Sequence, residues 1–172
     1  LQEEKSQLRQ ELNLEEDDFV MICVGELNKN KNQIMAIETM KDLIAQNEKN
    51  IKLLLVGEGN LKAFYEEKIR EYHLENNVYL LGYRKDISKL LKISNVLISL
   101  SYREGLPVNV IEAMIAGLPL IVTNCRGSRE LVQNGVNGYV IEDGKMLFHK
   151  IKEIASAKQM HKIDTKQYEQ EE

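Results

Sequence analysis

The chain of 172 residues contains no tryptophan, only two cysteines and two prolines, and no long hydrophobic run. Its longest stretch without a charge, from Ala113 to Cys125, is shorter than the ~20 residues that a membrane-spanning helix needs. Cys23 and Cys125 do not form a CxxC motif and lie in or beside apolar runs. We therefore expect buried free thiols in a cytoplasmic protein. The net charge of −4 excludes the domain-wide basic surface typical of nucleic-acid-binding domains.

The composition, with 43% apolar and 29% charged residues, is that of one globular domain with a core of ordinary size. Six short apolar runs predict β-strands, at residues 19–24, 51–56, 78–81, 96–100, 120–123 and 138–141. Most of these runs are continuous rather than alternating in polarity. Continuous apolar runs are typical of strands that are covered on both faces, which indicates a parallel sheet.

The segments between these runs have helical periodicity. The predicted helices cover residues 33–47, 61–72, 87–93 and a segment that ends before Gly117, with a weaker pattern at residues 3–12. We expect Asp86 to be an N-cap residue and Pro107 to lie in the first turn of its helix. The alternation of strands and helices predicts an α/β fold, a Rossmann-like doubly wound parallel sheet of about six strands.

In such a sheet, ligands bind outside the carboxyl ends of the strands. The residues after the first five predicted strands include eight basic and four acidic side chains, a sum of +4 in a chain of −4. Glycines also follow these strands and would let a ligand approach the backbone. The pattern favours an anionic small ligand such as a phosphate ester, although lysine and glycine are also common in loops without a ligand.

The most informative segment is residues 101–124. A strand end there leads to Glu104 and Gly105, and a helix follows whose free N–H groups would face the crevice. Glu112 lies on this helix, and its side chain tilts toward the helix start. Two carboxylates and an anion-binding helix start suit a ligand that carries both hydroxyls and phosphates.

Residues 104–114, EGLPVNVIEAM, resemble the E-x7-E motif of retaining glycosyltransferases with the GT-B fold, the large family 4 group. The order and spacing of other blocks are also similar to the family: VGELNKNKNQ, LLLVGEGN, VYLLGYRKDI, AGLPLIVTN and GSRELVQNGVNGYV. The resemblance covers about residues 19–141. It implies the C-terminal half of a GT-B fold. Within the family, the ELNKNKNQ segment is similar to that of bacterial enzymes that assemble capsular and other surface polysaccharides.

The resemblance implies a donor-binding domain whose N-terminal, acceptor-binding half is missing. In this interpretation, residues 1–18 form a linker-proximal helix, residues 19–157 the nucleotide-sugar donor-binding domain and residues 158–172 a polar C-terminal tail. We expect such an isolated domain to bind a nucleotide weakly and to show little or no sugar transfer.

Site roles follow from the same resemblance. Glu104 matches the glutamate beside the transferred sugar and is the implied catalytic residue, and Glu112 matches the one that binds the ribose hydroxyls. Lys31 matches the lysine that contacts the donor diphosphate. The other implied donor-binding residues are Gly25, Gly82, Tyr83, Arg84, Gly105, Leu106 and Pro107, with Tyr83 and Arg84 bordering the nucleobase.

One position departs from the family. Glu26 stands where the family has an arginine, and a carboxylate cannot neutralise a diphosphate. Lys29 lies in the same loop, and we expect it to take the place of that arginine in donor binding.

The implied reaction moves a sugar from a nucleotide diphosphate-sugar, with UDP the commonest carrier, to a hydroxyl acceptor with retained anomeric configuration. Lys31 and the helix start would stabilise the leaving diphosphate, so no metal and no tightly bound cofactor is expected. The expected partners are the donor and the N-terminal half, with the full-length enzyme at the inner membrane surface and no nucleic acid bound.

Two alternatives stay open on the sequence. One is a nucleotide-binding module that has no catalytic activity of its own. The other is half of a nicotinamide or flavin dehydrogenase, since VGEGNLK contains G-x-G. Lys62 stands where the third glycine of that motif belongs, which weakens the second alternative.

Overall fold

The computed structural model describes the backbone of residues 1–169 and the side chains of residues 1–158. Its strands are β1 (Phe19–Val24), β2 (Ile51–Val56), β3 (Val78–Gly82), β4 (Val96–Ser99), β5 (Leu120–Thr123) and β6 (Gly138–Ile141). Its α-helices are α1 (Gln2–Glu11), α2 (Gln33–Ala45), α3 (Lys62–Glu71), α4 (Ile87–Ile93), α5 (Val108–Ile115) and α6 (Gly144–Glu169). A 3₁₀ turn, Arg129–Leu131, precedes β6.

The six strands form one parallel sheet in the order β3-β2-β1-β4-β5-β6. The predicted doubly wound Rossmann-like sheet is therefore confirmed. The chain moves outward from β1 to β3 and then returns to place β4 on the other side of β1. After β1 the chain runs to the face covered by α2, and after β4 to the face covered by α5, so a crevice forms at this topological switch point.

Two hydrophobic layers cover the two faces of the sheet, and alternate side chains of β1 pack into one layer or the other. Phe19, Met21 and Cys23 pack against α2, α3 and α6, whereas Val20 and Ile22 pack against α1, α4 and α5. Successive side chains of a strand point to opposite faces, so a strand covered on both faces is apolar throughout. This is why the strands appear in the sequence as continuous apolar runs.

The two cysteines are buried and free, as predicted. Burial raises the pKa of the Cys23 thiol to about 12, because desolvation penalises the thiolate. The thiol of Cys23 is therefore protonated at neutral pH and behaves as a small apolar core side chain.

The predicted elements differ from the observed ones mainly at their ends, but the longest helix, α6, was not predicted. Strand β3 is one residue longer and β4 one residue shorter than predicted, and α2 and α3 each lose residues from their ends. Helix α6 extends to Glu169, so its backbone includes most of the segment predicted as a polar tail; residues 170–172 of that segment lie outside the described residues. Within the described residues, no helix is long and apolar enough to cross a membrane.

Candidate functional site

The loop after β1 and the loop after β4 meet at the switch point and bring two predicted site residues together. Lys31 Nζ lies 2.6 Å from Glu104 Oε1, although 73 residues separate the two in sequence. The Glu104 side chain is only 9% exposed and that of Lys31 25% exposed. An ion pair this sheltered is screened little by water, so it fixes both charged groups at the mouth of the crevice.

The Glu104 carboxylate is oriented by a second donor. Ser101 Oγ donates a hydrogen bond of 2.7 Å to the same oxygen, Oε1, that contacts Lys31. Ser101 is itself buried, and its carbonyl accepts a hydrogen bond of 2.6 Å from Thr123 at the end of β5. The other carboxylate oxygen of Glu104 accepts no hydrogen bond from the residues that the structure describes, which leaves it available to a ligand hydroxyl.

Gly25 lies under the Lys31 side chain. A Cβ atom built on Gly25 would come within 3.3 Å of Lys31 Cδ and Cε, which is tighter than ordinary van der Waals contact. The absence of a side chain at Gly25 therefore lets the lysine stem lie flat across the backbone and reach Glu104. This is a physical reason for glycine at one of the predicted donor-binding positions.

Residues 105–107 lead from Glu104 into α5. A Cβ on Gly105 would meet no atom within 4 Å, and the Leu106 side chain is 74% exposed, so this turn presents open backbone. Pro107 was expected in the first turn, but it is the N-cap residue, and the helix begins at Val108. The Pro107 carbonyl accepts the first helical hydrogen bonds, from Val110 and Ile111, which is why the helix starts one residue later than expected.

A groove of about 600 Å³ opens beside this turn. We call it the carboxyl-edge groove; it is lined by residues 104–107, Ile111, Arg126, Gly127, Glu130 and Leu131. Gly127 has a φ of +93°, and a Cβ there would lie 2.8 Å from the Gly105 carbonyl oxygen. The loop after β5 thus packs directly on the backbone of the Glu104 turn, and only glycine fits at that contact.

Glu112, on α5, does not join the cluster around Lys31. Its side chain is exposed and forms no hydrogen bond or ion pair with the described part of the chain. Lys29 is also exposed, and its ammonium has no such partner among the described residues. Glu26 is exposed and accepts a hydrogen bond of 3.1 Å from Asn28. All three side chains are therefore open to solvent, Glu26 and Lys29 in the loop after β1 and Glu112 on α5.

Gly82 is the last residue of β3, and Tyr83 and Arg84 follow it, three strands from β4. Sheet spacing puts these two loops roughly 14 Å apart. Tyr83 is 73% exposed. Gly82 has a φ of +68°, and its carbonyl accepts a hydrogen bond of 2.8 Å from Gly57 at the end of β2. The predicted nucleobase side of the site therefore lies at the far end of the same sheet edge.

Arg84 forms a bidentate pair with Asp86, with Nε–Oδ1 and Nη2–Oδ2 distances of 2.8 and 2.7 Å. The hydrogen bonds of this pair raise the pKa of Arg84 and lower the pKa of Asp86. Asp86 is the N-cap residue of α4, as predicted, but its carboxylate makes no capping hydrogen bond. A planar guanidinium that engages both carboxylate oxygens outcompetes a single backbone N–H.

Ser101 and the asparagines of the loop after β1 are structural contributors that the sequence did not single out. Asn28 Oδ1 accepts a 2.9 Å hydrogen bond from the Lys31 N–H, and Asn30 bonds to the backbone of Arg103. Asparagine is common in turns because its side chain bonds to nearby backbone, and the N-K-N-K-N run carried that signal. Among the described residues, no group of His, Cys, Asp and Glu side chains could hold a metal ion.

The fold defines the class: a Rossmann-like domain of the kind found in GT-B glycosyltransferases. The family described as glycosyl transferases group 1 matches residues 4–170. The chain therefore belongs to the group 1 glycosyltransferase family, and the family resemblance noted in the sequence is confirmed.

Individual relatives agree with this assignment. The chain is 36% identical, over 136 residues, to the UDP-Gal:alpha-D-GlcNAc-diphosphoundecaprenol alpha-1,3-galactosyltransferase of Escherichia coli, covering 76% of this chain and 34% of that protein. It is 32% identical, over 145 residues, to the amylovoran biosynthesis glycosyltransferase AmsD of Erwinia amylovora, covering 83% of this chain and 40% of that protein. The chain thus spans little more than a third of the length of these curated relatives.

A solved structure of similar fold contains a nucleotide-sugar. The crystal structure of Anabaena HepE in complex with UDP-glucose matches with a TM-score of 0.82 and 27% sequence identity. The match covers 91% of this chain and 44% of HepE. The similarity therefore extends over nearly the whole chain.

Proposed function

We propose that this chain is the donor-binding domain of a retaining glycosyltransferase that uses a UDP-sugar. The contact between Lys31 Nζ and Glu104 Oε1 at the switch point carries the proposal. It combines a cation for a diphosphate and a carboxylate for sugar hydroxyls at the edge where Rossmann-like sheets bind nucleotides. The complex of the similar HepE with UDP-glucose supports this choice of donor.

In the proposed donor complex, the ligand lies along the carboxyl edge of the sheet. Tyr83 borders the nucleobase, Glu112 accepts hydrogen bonds from the ribose hydroxyls, and Lys31 contacts the diphosphate. Glu104 then lies beside the sugar. The roughly 14 Å between the loops after β3 and β4 requires a donor that is bound in an extended form.

The proposed reaction replaces the bond between the anomeric carbon and the diphosphate oxygen with a bond to an acceptor hydroxyl oxygen. The diphosphate leaves with the electron pair of the broken bond and gains negative charge, and the proton that the acceptor hydroxyl loses passes to a diphosphate oxygen. Lys31, the exposed Lys29 and the N–H groups at the start of α5 would stabilise that charge, in a role that metal ions fill in other transferases.

We further propose that the whole protein acts in surface polysaccharide assembly; the similarity to an amylovoran biosynthesis glycosyltransferase supports a role in a biosynthetic pathway of this kind. Its acceptor would bind to an N-terminal half that is not part of this chain, with the complete enzyme at the inner membrane surface. This chain by itself would then bind donor and transfer little sugar. A transfer rate from the chain alone that equals that of complete family enzymes would contradict this part of the proposal.

Calorimetric titration with UDP, GDP, ADP and NAD tests the donor assignment. We expect binding of UDP, and we expect Glu112→Ala to weaken it about tenfold, because the ribose hydroxyls lose a charged acceptor. Glu67→Ala, which removes another exposed helical glutamate on α3, is the matched control and should bind UDP like the parent. Equal UDP affinity of the parent and Glu112→Ala would contradict the role of Glu112.

The same titration separates the alternatives. Preferential binding of NAD would favour the dehydrogenase interpretation. A module that only binds nucleotide has no need of a carboxylate beside the sugar. Glu104→Gln should therefore weaken UDP-glucose more than UDP if the proposal is right, and both ligands equally if the chain derives from such a module.

A further inference from the structure

The loop that carries Lys31 alternates lysines with asparagines, and the two residue types do different work. Lys29 is exposed and Lys31 forms the ion pair with Glu104, whereas the asparagine side chains form hydrogen bonds with backbone groups. The Asn32 side chain is buried and donates a 3.2 Å hydrogen bond to the carbonyl of Leu100. The loop contains no helix or strand, so these amide contacts replace a backbone ladder as its support.

Asn30 joins the loop after β1 to the loop after β4 by three hydrogen bonds. Its carbonyl accepts a 3.0 Å bond from the Tyr102 N–H. Its side-chain Oδ1 accepts a 3.1 Å bond from the Arg103 N–H, and its Nδ2 donates a 3.0 Å bond to the Arg103 carbonyl. One asparagine thus pairs with two consecutive residues of the other loop as a neighbouring strand would.

The two loops are the ones that carry the ion pair, and Asn30 is adjacent to Lys31 in sequence. Tyr102 and Arg103 lie between Ser101 and Glu104, whose side chains are joined across the turn by a 2.7 Å hydrogen bond. Asn30 therefore binds the backbone in the middle of this turn, while the Ser101 hydroxyl binds the Glu104 carboxylate at its end. Side-chain ion pairs depend steeply on distance and geometry, so fixing both loops fixes the pair.

We propose that Asn30 is a positioning residue, which holds Lys31 and Glu104 at the separation that donor binding needs without contacting the donor itself. The proposal deepens the proposed function, since it assumes that Lys31 binds the donor diphosphate. It does not follow from the exposed position of Asn30 alone, because an exposed asparagine in a loop needs no partner. It follows from the reciprocal pairing of its amide with the backbone next to Glu104.

The first test requires no ligand. The coupling between Lys31 and Glu104 is measured by urea denaturation of Lys31→Ala, Glu104→Gln and the double variant, in the parent and in Asn30→Ala. We expect a favourable coupling in the parent and its loss in Asn30→Ala. An unchanged coupling in Asn30→Ala would overturn the proposal, whatever ligand the domain binds.

The second test uses UDP and calorimetry. Asn30→Ala should weaken UDP binding by on the order of three- to tenfold in the parent and not at all in the Lys31→Ala background, because Asn30 acts through Lys31. An equal loss in both backgrounds, or no loss in the parent, would overturn the proposal. Failure of the parent to bind UDP would instead count against the proposed function, and the denaturation cycle would still decide the role of Asn30.

Asn137 provides the matched control variant. Its Oδ1 accepts a 2.7 Å bond from the Gln133 N–H, and its Nδ2 donates a 2.9 Å bond to the Leu131 carbonyl, so its amide also pairs with one backbone N–H and one backbone carbonyl. It precedes β6, at the opposite edge of the sheet. Asn137→Ala should lower stability as Asn30→Ala does and change neither the Lys31–Glu104 coupling nor the UDP affinity. If Asn137→Ala reproduces the Asn30→Ala effects, the proposal is wrong.

Discussion

Two grooves of the same volume, about 600 Å³ each, lie at opposite edges of the sheet and differ in chemistry. The carboxyl-edge groove contains Glu104, Arg126 and Glu130 beside open backbone. The other, which we call the amino-edge groove, lies before β5 and β6 and is lined mainly by apolar groups. Its lining consists of Met114, residues 117–119, residues 135–139, Glu153, Ile154 and Ala157.

The difference between the grooves shows that strand direction, rather than cavity size, marks the site. At the carboxyl edge, loops leave a parallel sheet on both sides of the switch point, and helix starts face the crevice. At the amino edge, the chain enters the strands from helix ends, and the exposed residues there include Ile115 and Val136. A phosphate-bearing ligand is therefore favoured at one edge only.

The largest expected effect is on the free energy of unfolding, and it tests the two sheet edges by replacing one glycine of positive φ at each with alanine. Gly127→Ala should lower the free energy of unfolding by about 2–4 kcal/mol, because the backbone conformation is strained and the new Cβ meets the Gly105 carbonyl. Gly135→Ala, at the amino edge, shares the positive φ but meets no atom within 4 Å, so it should lose only about 1–2 kcal/mol. Urea denaturation measures both. Equal losses would mean that the contact of Gly127 with the Glu104 turn contributes nothing.

The second test compares lysines at the two edges. Lys31→Ala should weaken UDP binding by about 1.5–3 kcal/mol, or roughly 10- to 150-fold, through loss of a charged contact with the diphosphate. Lys52, near the amino end of β2, donates one 2.9 Å hydrogen bond to the Asn76 carbonyl. Lys52→Ala should leave the calorimetric UDP affinity unchanged. A comparable loss in Lys52→Ala would break the distinction between the two edges.

The smallest expected effect concerns the Arg84–Asp86 pair at the carboxyl edge. Because the pair lowers the pKa of Asp86 in the folded state, its stabilisation is present above the unfolded pKa, near 4, and is lost as the pH falls through the folded value. Asp86→Asn should therefore cost up to about 1 kcal/mol at pH 7 and nothing in acid.

Urea denaturation between pH 3 and pH 7 checks this pH dependence. Glu153, in the amino-edge groove, is the counterpart: hydrogen bonds from Lys150 and Tyr139 lower its pKa, but its side chain is 55% exposed, against 29% for that of Asp86. Glu153→Gln should show a weaker pH dependence than Asp86→Asn. A difference between parent and Asp86→Asn that grows toward acid pH would contradict the assignment.

Most of the fold could be predicted from the sequence because its signals are local. Each strand is an apolar run, and the helices between the strands repeat their apolar residues at the helical period, although α6 was not predicted. The order of these elements fixes a parallel, doubly wound sheet, and the sheet fixes the edge at which a site can form. Lys31 and Glu104 were candidates for the same reason, since both follow strands that end at that edge.

The partners of individual side chains could not be predicted in this way. Asp86 was expected to cap a helix, but Arg84 holds its carboxylate, because the choice between two donors depends on the angle and reach of each. The start of α5 at Val108 rather than Pro107 has the same origin in the geometry of the turn. The contributions of Ser101 and Asn30 were missed, since serine and asparagine are ordinary loop residues until their partners are known.

The sequence by itself determined the family, the order of the strands and helices, and the residues from which a donor site can be built. Only the tertiary structure decided that Lys31 and Glu104 share an ion pair, with Ser101 on the same carboxylate oxygen and Asn30 between the two loops. The physical reason is that helices and strands follow from neighbours along the chain. Hydrogen bonds and ion pairs need atoms from distant segments to lie within a few tenths of an ångström of the right place.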